Sequence, residues 1–142
     1  MDARDKIRSI FEKTRTIAVY GMSRDTAKAA HWVPEYLAGK DYAIIPVNPA
    51  ADTILGRKSY PDLKSVPGRI DVVQVFRRSG EALEPVKEAV ARKKERGDVS
   101  VVWLQQGIRN EEARRLAEEN GILFVQDRCM YHEHRMLNPE DG

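Results

Sequence analysis

The residues with the clearest chemical use follow an apolar run at 17–20, where Gly21, Met22 and Ser23 lead into Arg24, Lys28 and a helical pattern. A glycine at a strand-to-helix turn lets a ligand approach the backbone. The helix start that follows presents unpaired N–H groups and the positive end of its dipole to an anion. The chemistry is phosphate binding. Other polar groups stand just past later apolar runs: Asn48 and Pro49 after Val47, Arg77 and Arg78 after Phe76, and Gln105 with Gly107. Guanidinium groups bind phosphate through paired, charge-assisted hydrogen bonds, so Arg77 and Arg78 suit a pyrophosphate or a ribose phosphate. The competing role for Arg78 is solvation of a loop, and for Arg24 and Lys28 it is surface charge.

The turn departs from the dinucleotide fingerprint, since Gly21-Met22-Ser23 supplies only the first glycine of GxGxxG. An NAD site also expects an acidic residue at the end of the second strand to hold the ribose hydroxyls, and here Val47 is followed by Asn48 and Pro49. NAD is disfavoured, although Asn48 retains hydrogen-bonding capacity for a ribose or adenine. No GxxxxGK[ST] motif is present, which argues against a P-loop nucleotidase.

Two further groupings have chemical potential. Cys129 follows Arg128, a neighbour that favours thiolate, yet a lone cysteine after a buried strand usually serves packing. His132, Glu133 and His134 are metal-ligand types, but they lack the HExxH spacing that places two imidazoles on one helical face. A structural or surface role is the expectation for both, with no metal site.

These positions need a scaffold, and the chain supplies one by alternation. Short apolar runs, mostly rich in valine and isoleucine, occur at 17–20, 42–47, 71–76, 99–104 and 122–125, as expected of strands buried on both faces. Helical patterns lie near 30–39, 81–95 and 111–120, followed by or ending in Gly39, Gly97 and Gly121, and a short amphipathic helix is predicted at 2–13 from Ile7, Ile10 and Phe11. Asn110 before Glu111 and Glu112 reads as a helix start. Pro34 and Pro85 fit only in a first helical turn. The alternation predicts a three-layer α/β domain with a mostly parallel sheet and helices on both faces. In such a sheet the strands' carboxyl ends form the ligand rim, where all the candidate residues gather.

The 142 residues predict a single domain over 1–142. With 24 basic and 22 acidic side chains, the net charge of +2 lacks the excess expected of a general nucleic-acid binder. No apolar run approaches the roughly 20 residues that span a bilayer, and the charged start is unlike a secretory segment, so the expectation is a cytoplasmic protein. Trp32 and Trp103 have the apolar neighbours of core or subunit-contact residues, and the charged run at 92–96 reads as a solvated helix end.

The succession VYGMSRD, YLAGKDYAIIPVNP, ILGRKSYPDL, DVVQVFRR, VWLQQGIRNEEA and QDRCMYHEHRML resembles the small, stand-alone CoA-binding proteins, over about residues 16–137. These are similar in turn to the N-terminal CoA-binding domain of the succinyl-CoA synthetase alpha subunit. The resemblance implies a Rossmann-like domain with coenzyme A or an acyl-CoA as ligand, the nucleotide part held at the strand ends. It puts Gly21, Met22 and Ser23 against the nucleotide phosphates, Asn48 and Pro49 beside the adenosine end, and Phe76, Arg77 and Arg78 along the nucleotide. Gln105 and Gly107 match the turn nearer the pantetheine arm. Where many relatives place a proline and a serine before the helix, this chain has Ala27-Lys28-Ala29-Ala30, so a less well-capped helix start is expected, with Lys28 as a substitute contact. The catalytic machinery of the ligases lies outside this domain, and the chain is too short for a complete acyl-CoA ligase. CoA binding without autonomous catalysis is the leading reading. A small NAD(P)-dependent oxidoreductase and a regulatory interaction domain with a vestigial pocket stay open, as does a protein partner or homo-oligomer.

Overall fold

The computed structural model describes residues 2–139. Met1 and residues 140–142 of the expected single domain lie outside the described residues. Along the chain run α1 (Ala3–Lys13), β1 (Thr16–Tyr20), α2 (Ala29–Ala38), β2 (Ala43–Val47) and a small hairpin of β3 (Thr53–Ile54) and β4 (Arg57–Lys58). There follow β5 (Val72–Val75), α3 (Leu83–Arg96), β6 (Val101–Leu104), α4 (Glu111–Glu119), β7 (Leu123–Val125) and α5 (Met130–Leu137). The main sheet is parallel, with strand order β2-β1-β5-β6-β7. The chain therefore moves outward from β1 to β2 and then returns to build the other side from β5. That reversal places the topological switch between β1 and β5.

The apolar runs form strands because both sheet faces are covered. One face packs Ala18, Val73, Val75, Val102 and Phe124 against Val86 and Ala89 of α3 and Ala113 and Ala117 of α4. The other packs Ile17, Val19, Val72 and Trp103 against Ile7, Ile10 and Phe11 of α1, Val33 and Leu37 of α2, and Met130 of α5. Asn110 caps α4 as predicted, its side chain accepting a hydrogen bond from the Ala113 N–H at 2.9 Å. Gly97 ends α3 with φ of 75°, a left-handed stop.

Two expectations require correction. Pro34 is not in a first turn: it stands at the sixth position of α2, while Pro85 does occupy the first turn of α3. The run at 92–96 is not wholly solvated, because Arg92 is buried and its Nε lies 3.0 Å from Asp98 Oδ2. Its remaining donors reach the Leu63, Val66 and Gly68 carbonyls, so it stitches the 63–68 loop to α3. Trp103 is core, but Trp32 is 38% exposed and meets the Tyr131 ring edge to face. No helix among the described residues is long and apolar enough to cross a membrane.

Candidate functional site

β1 ends at Tyr20, and Gly21 turns the chain with φ of 88°. A Cβ at this position would lie 2.5 Å from the Phe76 carbonyl oxygen and 3.2 Å from its carbon. The glycine is thus demanded by the close approach of β5's exit to β1's exit. A side chain here would disturb the protein's own backbone.

The amides of the turn are spent internally. Gly21 N–H donates to the Val47 carbonyl at 2.9 Å, Met22 N–H to Val19 at 3.4 Å, and Ser23 N–H to Ala30 at 3.1 Å. Asn48 crosslinks β2 to the same turn, its Nδ2 donating to the Met22 carbonyl at 2.9 Å while its Oδ1 accepts from Ala50 N–H at 2.8 Å. Ser23 Oγ accepts from Asp25 N–H, and Asp25 Oδ1 accepts from Ala27 N–H. Free donors sit one turn further on. Lys28 makes no side-chain cap on α2, and the Ala29 and Ala30 amides donate to no described residue. Those two N–H groups form the uncapped helix start that the sequence predicted.

Around this start opens a cavity of about 630 Å3, walled by Gly21, Met22, Ser23, Arg24, Asp25, Lys28, Ala30, Asn48 and Phe76. Neither Arg24 nor Lys28 has a carboxylate partner among the described residues. The arrangement offers two cations and a helix dipole to an anion, partly offset by Asp25. It sits at the carboxyl ends of β1, β2 and β5, across the switch point.

Seven of the thirteen candidate residues thus line one cavity. The other six are distributed differently. Val47 is buried core, and Pro49 is exposed beside Asn48 without lining the cavity. Arg77 is half-buried with its Cζ 5.4 Å from the centre of the Tyr20 ring, and its Nε lies 3.6 Å from where a Gly21 Cβ would stand. It borders the switch point. Burial, and then the hydrogen bond and charge of Glu88, push the Tyr20 phenol well above its ordinary value. Arg78 is exposed and pairs with Glu81 at 3.3 Å, the loop role. Gln105 is buried at 4% exposure, and its Oε1 accepts from Gln74 Nε2 and from Met130 N–H, both at 3.3 Å. Its side chain therefore belongs to the core under α5. Gly107, with φ of 87°, is exposed and donates to Asp127 Oδ1 at 2.7 Å.

A larger cavity, about 680 Å3, opens at the ends of β6 and β7 among Trp32, Gln106, Arg109, Asp127, Cys129 and His132. Its arginines are already neutralised, Arg109 by Asp127 at 3.3 Å and Arg128 by Glu133 at 3.0 Å. The smaller cavity offers more to an anion, because its Arg24 and Lys28 have no carboxylate partner among the described residues and it straddles the switch point. Cys129 caps α5 by position, without a side-chain hydrogen bond. His134 is buried, its Nδ1 2.7 Å from the Tyr36 hydroxyl. Among the described residues no group of three or more His, Cys, Asp or Glu side chains is placed to hold a metal. The residue the sequence reading missed is His31, buried with Nδ1 2.7 Å from the Ser23 carbonyl; its place on the inner face of α2 was the available signal.

Comparison with known proteins extends this picture. The pattern of the CoA binding domain family matches residues 15–135. YneT, an uncharacterised protein of Bacillus subtilis, is 39% identical over 129 residues, covering 91% of this chain and 92% of its own length. The alpha subunit of ADP-forming acetate–CoA ligase II from Pyrococcus furiosus is 29% identical across an alignment that covers 90% of this chain but 30% of that subunit. A solved structure of a hypothetical protein from Pyrococcus horikoshii superposes with a TM-score of 0.90 at 34% identity, covering 96% of this chain and 93% of that one. The chain, with its parallel sheet and its cavity at the switch point, belongs to the CoA binding domain family.

Proposed function

We propose that this domain binds coenzyme A or an acyl-CoA through its nucleotide half at the carboxyl ends of β1, β2 and β5, without catalysis of its own. The observation that carries the reading is the cavity at the switch point, lined by Arg24, Lys28 and Ala30, the last with an amide that donates to no described residue. Phosphates fit that donor set because charge-assisted hydrogen bonds and a helix start favour dense negative charge. Arg77, at the cavity's border, supplies a further cation to the ribose phosphate or the pyrophosphate. The ligase relative is mostly composed of sequence beyond this domain, so its reaction is not carried over.

Calorimetric titration with CoA, dephospho-CoA and NAD at one salt concentration tests the proposal, salt being fixed because exposed charges are screened. Saturable CoA binding with NAD silent is the expected result. Arg77→Ala weakens CoA more than dephospho-CoA if this arginine meets the ribose phosphate, and both equally if it meets the pyrophosphate. NAD binding with CoA silent would instead install the oxidoreductase reading, and silence from all three would leave a vestigial or partner-dependent pocket.

A further inference from the structure

Pro34 breaks a rule of helix chemistry, and the group it leaves unpaired is used by the turn that walls the cavity. In a regular helix the N–H of residue 34 would donate to the Ala30 carbonyl, four residues back. Proline has no N–H, and in a helix interior it also crowds that carbonyl, which destabilises the helix. Here the Ala30 carbonyl accepts Ser23 N–H at 3.1 Å instead. His31, next along the helix, closes the other side of the same residue: its Nδ1 lies 2.7 Å from the Ser23 carbonyl. A carbonyl only accepts, so this ring nitrogen carries the hydrogen. Ser23 is therefore held at both its backbone groups by α2. Ala30 and Ser23 both line the cavity, and the free Ala30 amide lies beside them.

We infer that Pro34 is a positioning residue for the phosphate turn: by withholding the intrahelical donor, it reserves the Ala30 carbonyl for Ser23 and sets the spacing between turn and helix start. The inference rests on the proposed nucleotide site and gives that site its preorganisation. Pro34 itself is buried and lines no part of the cavity. It acts through Ala30.

The test is Pro34→Ala, read three ways. An alanine supplies the missing donor, which competes for the Ala30 carbonyl. Ser23 amide exchange, followed by NMR in the ligand-free protein, is expected to accelerate about three- to tenfold, the equivalent of one ordinary hydrogen bond. CoA affinity is expected to fall by a similar factor. The thermal midpoint should hold or rise, since alanine is the better helix former. That combination, weaker binding in a protein no less stable, is one that a merely structural proline would not produce. His31→Phe removes the second hold on Ser23 and is expected to move exchange and affinity in the same direction. Unchanged exchange or unchanged CoA affinity in Pro34→Ala overturns the inference, as does loss of the fold. If the unaltered protein binds no CoA, the site reading fails separately, while Ser23 exchange still decides whether Pro34 governs the turn.

Discussion

Gly21→Ala is expected to destabilise the domain by about 2–5 kcal/mol, in two parts. A left-handed φ of 88° costs a residue with a Cβ roughly 1–2 kcal/mol. The new Cβ would also stand 2.5 Å from the Phe76 carbonyl oxygen, so the exits of β1 and β5 must part at the join that holds the sheet's two halves. Overpacking of that kind costs about 1–3 kcal/mol. Gly107 provides the internal control, because its φ of 87° is nearly the same while a Cβ there would meet nothing within 4 Å. Gly107→Ala should therefore lose only the conformational part, about 1–2 kcal/mol. Urea unfolding at equilibrium, followed by the fluorescence of the buried Trp103, measures both variants on one scale. Equal losses in the two, within about 0.5 kcal/mol, would refute the contact with Phe76 and with it the claim that this glycine serves the sheet. For Gly21→Val, any loss of CoA binding is expected to come with lost stability.

Two further perturbations probe the scaffold. Arg92→Met strands Asp98 in the interior without its cation and releases the Leu63 and Gly68 carbonyls, while Val66 keeps its bond from Arg96, so a loss of about 3–5 kcal/mol in urea unfolding is expected; a change under 1 kcal/mol would contradict the buried stitch. Asp71 gives an acid signature: burial pushes its carboxyl up, but hydrogen bonds from the Arg15 and Thr16 amides and the Arg69 guanidinium outweigh this and hold it below its ordinary 3.8. The unfolded chain thus takes up this proton first as pH falls. The stabilisation is complete above the ordinary value and is lost as pH drops through the lower folded one. Asp71→Asn should flatten that part of a stability-against-pH curve, and an unchanged acid limb would remove Asp71 from it.

The five parallel strands were legible because both their faces are buried, which leaves near-continuous apolar runs such as 71–76 and 99–104. The hairpin of β3 and β4 was not, since two-residue strands carry no periodicity. Arg92 was misread for a related reason: a charged run at a helix end has the same composition whether one member is solvated or pinned to a buried aspartate. Asp98, just past Gly97, was its only local clue. The rim residues were identified by their position after the strands, and seven converge on one cavity. What position could not supply was the fate of each polar group. Gln105 follows β6 as predicted, yet its amide turns inward to Gln74 and Met130. The Ser23 amide, expected beside an anion, is taken by a carbonyl that a proline further along the chain leaves vacant.

Asn48 shows why the departure from the dinucleotide pattern is more than a missing charge. Its Nδ2 donates to the Met22 carbonyl while its Oδ1 accepts from Ala50 N–H, so the side chain needs both a donor and an acceptor. A carboxylate at this position could keep the contact to Ala50 but would turn an oxygen toward the Met22 carbonyl, acceptor against acceptor. Fixing the turn through β2 and grasping a ribose diol with an acidic side chain are therefore incompatible uses of one position. With that position committed to the turn, recognition in the proposed site falls to groups that attract negative charge: Arg24, Lys28, the Ala30 amide, and Arg77 at the border. Such a donor set discriminates by phosphate content rather than by ribose hydroxyls, which is the physical reason to favour CoA, with its extra ribose phosphate, over NAD.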